Sequence, residues 1–130
     1  MSGLLLDTQA FLWMSVDDDR LSRSARREIE NTVTLAVSVM SFWEIALKLS
    51  RRGLDFELPL DWDQVLQRQM QELRITRIDL VPAHCRRLQD LPWHHKDPFD
   101  RMLVAQAQEE KLAVLSSDRQ LRAYDVKVIW

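Results

Sequence analysis

Glycine is scarce in this chain: Gly3 and Gly53 are the only two among 130 residues. They cannot make a glycine-rich phosphate loop of the Rossmann or Walker type, so nucleotide binding of that kind is excluded. Cysteine is scarcer still. The lone Cys85 rules out an internal disulfide framework and a cysteine-based zinc cluster. In an expected helix it reads as a small buried hydrophobe. No apolar run approaches the length of a membrane span. Leu4-Leu5-Leu6 runs straight into Asp7, too short for a secretory core, so the expected setting is reducing and cytoplasmic with no membrane partner. An excess of positive charge is also missing. A net charge of −2 argues against a broad electrostatic surface for nucleic acid, because phosphate neutralisation supplies much of such affinity. It still allows an enzyme that meets a phosphodiester through bound metal ions and a few local cations.

What is present is an ordinary globular composition, 46% hydrophobic and 29% charged, of a length that suits one domain over 1–130. Apolar stretches at 4–6, 34–39, 75–80, 112–115 and 126–130 predict strands. Helices are expected over 10–14, 21–31, 61–73, 82–91 and 98–111, with a short one at 120–124. Another begins near Ser41, where Ser41 and Glu44 have capping-box spacing, and stops at Gly53. Asp97 is a good N-cap for the helix that follows, and Pro98 suits its first position. Strands alternate with helices, which predicts an α/β fold, a sandwich around a mainly parallel sheet. The non-alternating apolar strands at 4–6 and 112–115 are those of a sheet covered on both faces.

The acids follow this frame. Asp7 and Asp118 each stand directly after an apolar strand, Glu44 lies near the start of a helix after another, and Asp97 and Asp100 open a third. In an open parallel sheet, sites form outside the carboxyl ends of the strands where strand order reverses. Each acid also has an ordinary use: Asp7, Asp97 and Asp118 as caps, Glu44 as a capping-box partner, Asp100 as a charge favoured by the helix dipole. Clustered carboxylates repel one another. A hard divalent cation such as Mg²⁺ or Mn²⁺ resolves that repulsion, and its chemistry is phosphodiester hydrolysis without a protein nucleophile.

The segments LLLDT, VSVMSFWEIALK, HHKDPFDRMLVAQA and LSSD, with a terminal YDVKVIW, resemble the PIN-domain family, in particular its VapC-like ribonuclease toxins. The resemblance covers essentially the whole chain in the right order. DPFDRML and SFWEIALK are its specific parts, and LLLDT alone is weak. It implies a three-layer α/β/α sandwich and a Mg²⁺- or Mn²⁺-dependent endoribonuclease, usually a homodimer, held inactive by a VapB-like antitoxin. Asp7, Glu44, Asp100 and Asp118 match the family's acidic metal-site positions, and Asp97 matches a further recurrent acid. Gln9 stands where close relatives often have His, and Ser116-Ser117 replaces a more usual Thr.

The leading expectation is therefore an RNA-cleaving enzyme in which Asp7 and Asp100 hold the principal ion and Glu44 and Asp118 complete the pocket directly or through water. Ser41, Ser116 and Ser117 are expected to hydrogen-bond a ligating carboxylate. No base–orienter pair accompanies a serine, which argues against a Ser nucleophile. His94 and His95 have the donor atoms to ligate metal, but adjacent histidines in a loop read more readily as solvated, or with Lys96 and Arg101 as contacts for RNA phosphates. Trp13 and Trp43, on apolar helical faces, suit a dimer or antitoxin groove, with base stacking the weaker option. The rivals fit less well. A haloacid-dehalogenase-like phosphatase needs an Asp where Gln9 stands, and a phospho-acceptor receiver needs a Lys after a late strand. A catalytically silent PIN-like interaction module is opposed by the intact acid set.

Overall fold

A computed structural model describes residues 3–54 and 57–130. Its five strands are β1 Gly3–Leu6, β2 Thr34–Ser38, β3 Thr76–Ile78, β4 Ala113–Leu115 and β5 Val128–Ile129. They form one sheet in the order β3-β2-β1-β4-β5, and every pairing is parallel. The helices are α1 Thr8–Ser15, α2 Arg23–Asn31, α3 Val39–Ser50, α4 Trp62–Glu72, α5 Pro82–Gln89 and α6 Pro98–Glu110, with a 3-10 turn at Arg119–Ala123.

Side-chain alternation along the strands divides the interior into two cores. Leu5, Ala36 and Val114 face one, with Met102 and Leu103 of α6. Leu6, Val37 and Leu115 face the other, with Phe11 of α1, Ile45 of α3 and Met70 of α4. Helices thus cover both faces, as the expected three-layer α/β/α sandwich requires, and the sheet is wholly parallel. Each fully buried Leu or Phe contributes roughly 1.5–3 kcal/mol. No helix among the described residues is long and apolar enough to cross a membrane.

This topology makes the crevice that matters. The chain steps outward from β1 through β2 to β3, then returns past β1 to lay β4 on its other side. Leu4, Leu5 and Leu6 pair with Ala113, Val114 and Leu115, so β1 and β4 end flush. The Asp7 N–H then donates to the Leu115 carbonyl at 3.0 Å. Asp7 and the residues after β4 therefore lie side by side at the point where strand order reverses.

Three local expectations are corrected. The capping box at Ser41 and Glu44 does not form. Helix α3 begins earlier, at Val39, because Ser38 ends β2 and its Oγ accepts the Met40 N–H at 3.1 Å. Glu44 is then an interior helical residue. Gly53 does not take the left-handed position after α3; Arg52 does, at φ 55°. Cys85 is exposed rather than buried, because the rotation of α5 turns its neighbour His84 inward, where it is 0% exposed.

Candidate active site

At the crevice, Asp7, Glu44, Asp97, Asp100 and Asp118 line a cleft of about 200 Å³. Asp7 ends β1 and caps α1, its Oδ1 accepting the Ala10 N–H at 2.8 Å. Asp118 follows β4 and caps the 3-10 turn, its Oδ1 accepting the Gln120 N–H at 2.9 Å. Asp97 caps α6, its Oδ1 accepting from Phe99 N at 2.8 Å and Asp100 N at 3.3 Å. The capping uses foreseen for these three acids are thus present. Each engages Oδ1 with backbone N–H groups, which orients the carboxylate. Asp100 sits in the first turn of α6.

The electrostatics are those of acids pressed together. Burial is the main reason Asp7 is pushed up to about 6, with the charges of Glu44 and Asp118 adding to it. Hydrogen bonds from the Ser116 hydroxyl and the Ala10 N–H oppose that rise. Asp100 is pushed up to about 7, again first by burial and then by the charges of Asp97, Asp7 and Glu44. Glu44 is paired with Lys48 Nζ at 3.3 Å, one helical turn on.

Of the uses expected for His95, the solvated one is corrected. Its side chain is 11% exposed, and Nε2 lies 2.7 Å from Asp118 Oδ2 and 3.4 Å from Asp100 Oδ2. Its Nδ1 accepts the Asp97 N–H at 3.0 Å. A nitrogen that accepts cannot also carry the proton, so the proton is on Nε2 and the ring donates to Asp118. The ring, Asp100 and Asp118 bring ligand-type atoms within 4.8 Å of one another. In this tautomer the oxygens are the free donors.

The remaining expected residues divide. Ser116 is buried beside Asp7, and its Oγ also accepts the Asp118 N–H at 3.0 Å. Ser117 lines the cleft from an exposed position. Ser41 is corrected: its Oγ accepts from the Thr8 hydroxyl at 2.9 Å, so it braces α3 against α1 instead of bonding a carboxylate. Lys96 is exposed. Arg101 is corrected as a phosphate contact, because it is 5% exposed, donates to the Leu91 carbonyl at 3.1 Å and stacks under the Trp93 ring. Trp43 is 55% exposed and sets its ring edge against Phe99, whereas Trp13 packs on Trp130. Thr8, Gln9 and Lys48 also line the cleft. Of these, Lys48 had a legible signal in its i,i+4 spacing from Glu44.

A confined set of oriented carboxylate oxygens is the donor set a hard divalent cation takes. The PIN domain model matches residues 4–127. The chain is 31% identical over 126 residues to Ribonuclease VapC22 of Mycobacterium tuberculosis, covering 95% of this chain and 93% of that protein. Among solved structures, it is similar in fold to VapBC from Salmonella typhimurium bound to DNA. The TM-score there is 0.69 at 14% identity, covering 98% of this chain and 97% of that one. The VapBC2 complex of Rickettsia felis on a promoter DNA fragment gives 0.66 at 13% identity, covering 97% and 96%. A toxin–antitoxin complex from Klebsiella pneumoniae gives 0.65 at 18%, covering 98% and 96%. Having such a match along nearly its full length, beside a relative of this identity, the chain belongs to the PIN-domain family.

Proposed function

We propose that this chain, as a single domain over residues 1–130, is a Mg²⁺- or Mn²⁺-dependent endoribonuclease that hydrolyses RNA phosphodiester bonds. It would act in the cytoplasm as the homodimeric toxin of a pair whose partner is a VapB-like antitoxin. One observation carries the reading: five carboxylates from four separate segments meet in one cleft, where burial pushes Asp7 up to about 6 and Asp100 up to about 7. Like charges brought together out of water oppose folding, so a shared cationic ligand is the natural reason for the arrangement. The full-length likeness to a ribonuclease supports the reaction class.

Asp7 and Asp100 are proposed as donors to the principal ion. Glu44 and Asp118 complete the set directly or through water, and Asp97 stands at the rim chiefly as a cap. The ion, when bound, would neutralise charge at phosphate and lower the pKa of a water enough for hydroxide to be available as the nucleophile at neutral pH. The protein's own residues provide orientation. The Ala10 N–H and the Ser116 hydroxyl fix the Asp7 carboxylate. The Gln120 N–H and the His95 Nε2–H fix Asp118 from two sides. Lys48 holds Glu44 and brings one cation to an otherwise acidic wall. Thr8 lines the cleft, and its hydroxyl is committed as a donor to Ser41. Lys96 is the proposed phosphate contact.

The test is cleavage of RNA by purified protein with Mg²⁺ or Mn²⁺ and with chelator, beside Asp7→Asn and Asp100→Asn. Both variants are expected to lose roughly a hundredfold or more in turnover. Turnover equal to the wild type in both overturns the assignment. No cleavage together with no divalent binding by calorimetry returns the chain to a silent interaction module.

A further inference from the structure

Behind the His95 ring lies a second hollow of about 520 Å³, lined by Trp93, His94, His95, Lys96 and Gln120. His95 links this hollow to the acids, since its Nε2 lies 2.7 Å from Asp118 Oδ2 and 3.4 Å from Asp100 Oδ2. The two hollows differ in charge. Five carboxylates line the cleft, and none lines its neighbour.

Trp93 is 80% exposed, yet it is held in place. The Arg101 guanidinium lies 3.7 Å from the centroid of its ring and is itself buried and bonded to the Leu91 carbonyl. The next two residues are pinned as well, the His94 and His95 N–H groups both donating to the Tyr124 hydroxyl, at 3.2 and 3.1 Å. Tyr124 belongs to the core, at 4% exposure. A lone exposed tryptophan needs no explanation. One stacked on a buried cation is different, because burying a guanidinium is costly and this one supports a ring left open to water.

The result is a rigid aromatic face beside hydrogen-bonding and cationic side chains, one ring away from the acids. A flat π-system attached to phosphate fits it. A polyanion entering an acidic cleft also needs its adjoining segment held where the field is not negative. We propose that Trp93 is a stacking platform for a nucleobase of single-stranded RNA flanking the scissile phosphate, with Lys96 meeting the phosphate beside it. This rests on the ribonuclease reading of the acidic cleft. An apolar protein partner would find only one apolar side chain among polar walls.

The test uses a short fluorescein-labelled single-stranded RNA with Mg²⁺. Binding is read by anisotropy in the Asp100→Asn background, and steady-state cleavage in the wild-type background. Trp93→Ala is expected to weaken binding and raise KM by roughly ten- to a hundredfold while kcat stays within about twofold. Trp93→Phe, which keeps a π-face, recovers most of the loss. Trp93→Leu, which still covers Arg101 but cannot stack, behaves like Trp93→Ala and replaces it if that variant unfolds. A series of RNAs with single abasic positions should show one flanking position that matters to the wild type and not to Trp93→Leu. Equal binding and KM in wild type and Trp93→Leu overturn the platform while cleavage stands. Trp93-dependent RNA binding without any cleavage leaves the ring an RNA contact but overturns its place beside a scissile phosphate, together with the ribonuclease reading. Absence of both removes both. Loss confined to antitoxin binding assigns the ring to a protein interface and overturns the proposal.

Discussion

His95 shows how one side chain can order an acidic site without adding charge to it. Its Nδ1 is committed to the Asp97 N–H and its Nε2–H to Asp118, so a neutral ring ties the helix cap to a cleft carboxylate. A hydrogen bond to a charged group contributes about 1.5–3 kcal/mol, and partners that orient ligands commonly change metal affinity roughly ten- to a hundredfold. His95→Ala is therefore expected to weaken Mn²⁺ binding by about tenfold or more, measured by calorimetry. His95→Gln, whose amide offers an acceptor and a donor, should recover much of it. Unchanged Mn²⁺ affinity in His95→Ala would reduce the ring to a passive wall. Asp7, Asp97, Asp100 and Asp118 were legible because each stands at a strand end or a helix start, positions that local pattern reveals, whereas Glu44 was reached through a capping-box spacing that the structure does not form. His95 was not, because its role depends on Asp118, 23 residues later, folding back against it. Arg101 is a related case: grouped with His94, His95 and Lys96 it suggests a phosphate contact, and only the tertiary stack on Trp93 turns it inward.

Among the elements, the shortage of glycine reappears as strain at helix ends. Helices α3, α4 and α6 are followed by Arg52, Arg74 and Lys111 in the left-handed conformation, at φ 55°, 55° and 57°. The next residue's N–H closes each end, Gly53 to Lys48 O at 2.7 Å, Ile75 to Met70 O at 2.8 Å and Leu112 to Ala107 O at 2.8 Å. This is the Schellman arrangement, which usually has glycine at the left-handed position. A side chain there costs roughly 1–2 kcal/mol, offset in part by the greater freedom glycine has when unfolded. Lys111→Gly and Arg74→Gly are each expected to stabilise the fold by about 0.5–1 kcal/mol, measured by urea unfolding, with Lys111→Ala giving no such gain. A neutral or destabilising glycine would show that these ends are relaxed. The elements themselves were largely legible in order and type, because apolar strands and capped helices alternate cleanly. The start of α3 was misplaced because Ser41 and Glu44 imitate a capping box. Strand pairing with Ile78 carries β2 to Ser38, which caps the helix instead, and the shift leaves Ser41 facing Thr8 and Glu44 lining the cleft.

For the molecule as a whole, a net charge of −2 hides a concentration of carboxylates in one cleft at the strand ends, and stability should report it. Asp7 and Asp100 lie above their ordinary value of 3.8 in the folded chain, at about 6 and about 7. Between pH 4 and 7 the folded state therefore binds more protons than the unfolded one, so stability falls as pH rises through that window. Ionising Asp100 in the fold costs up to about 4 kcal/mol, a figure that water at its 23% exposed side chain lowers. In chelator, the thermal midpoint is expected to fall from pH 5 to pH 8. Mg²⁺ or Mn²⁺ should restore it at pH 8 and do little at pH 5, where the acids hold protons in place of metal. At a hundredfold excess over Kd, binding contributes about 2.7 kcal/mol, several degrees for a chain of this size. Asp100→Asn isolates the effect from other titrating groups. Without metal at pH 8 it should melt at or above the wild-type temperature, and it should lose most of the response to metal. An acid kept for structure would behave in the opposite way, its amide melting lower at pH 8. That result, or a wild-type midpoint indifferent to Mn²⁺ at pH 8, would leave the clustered carboxylates without a shared cation.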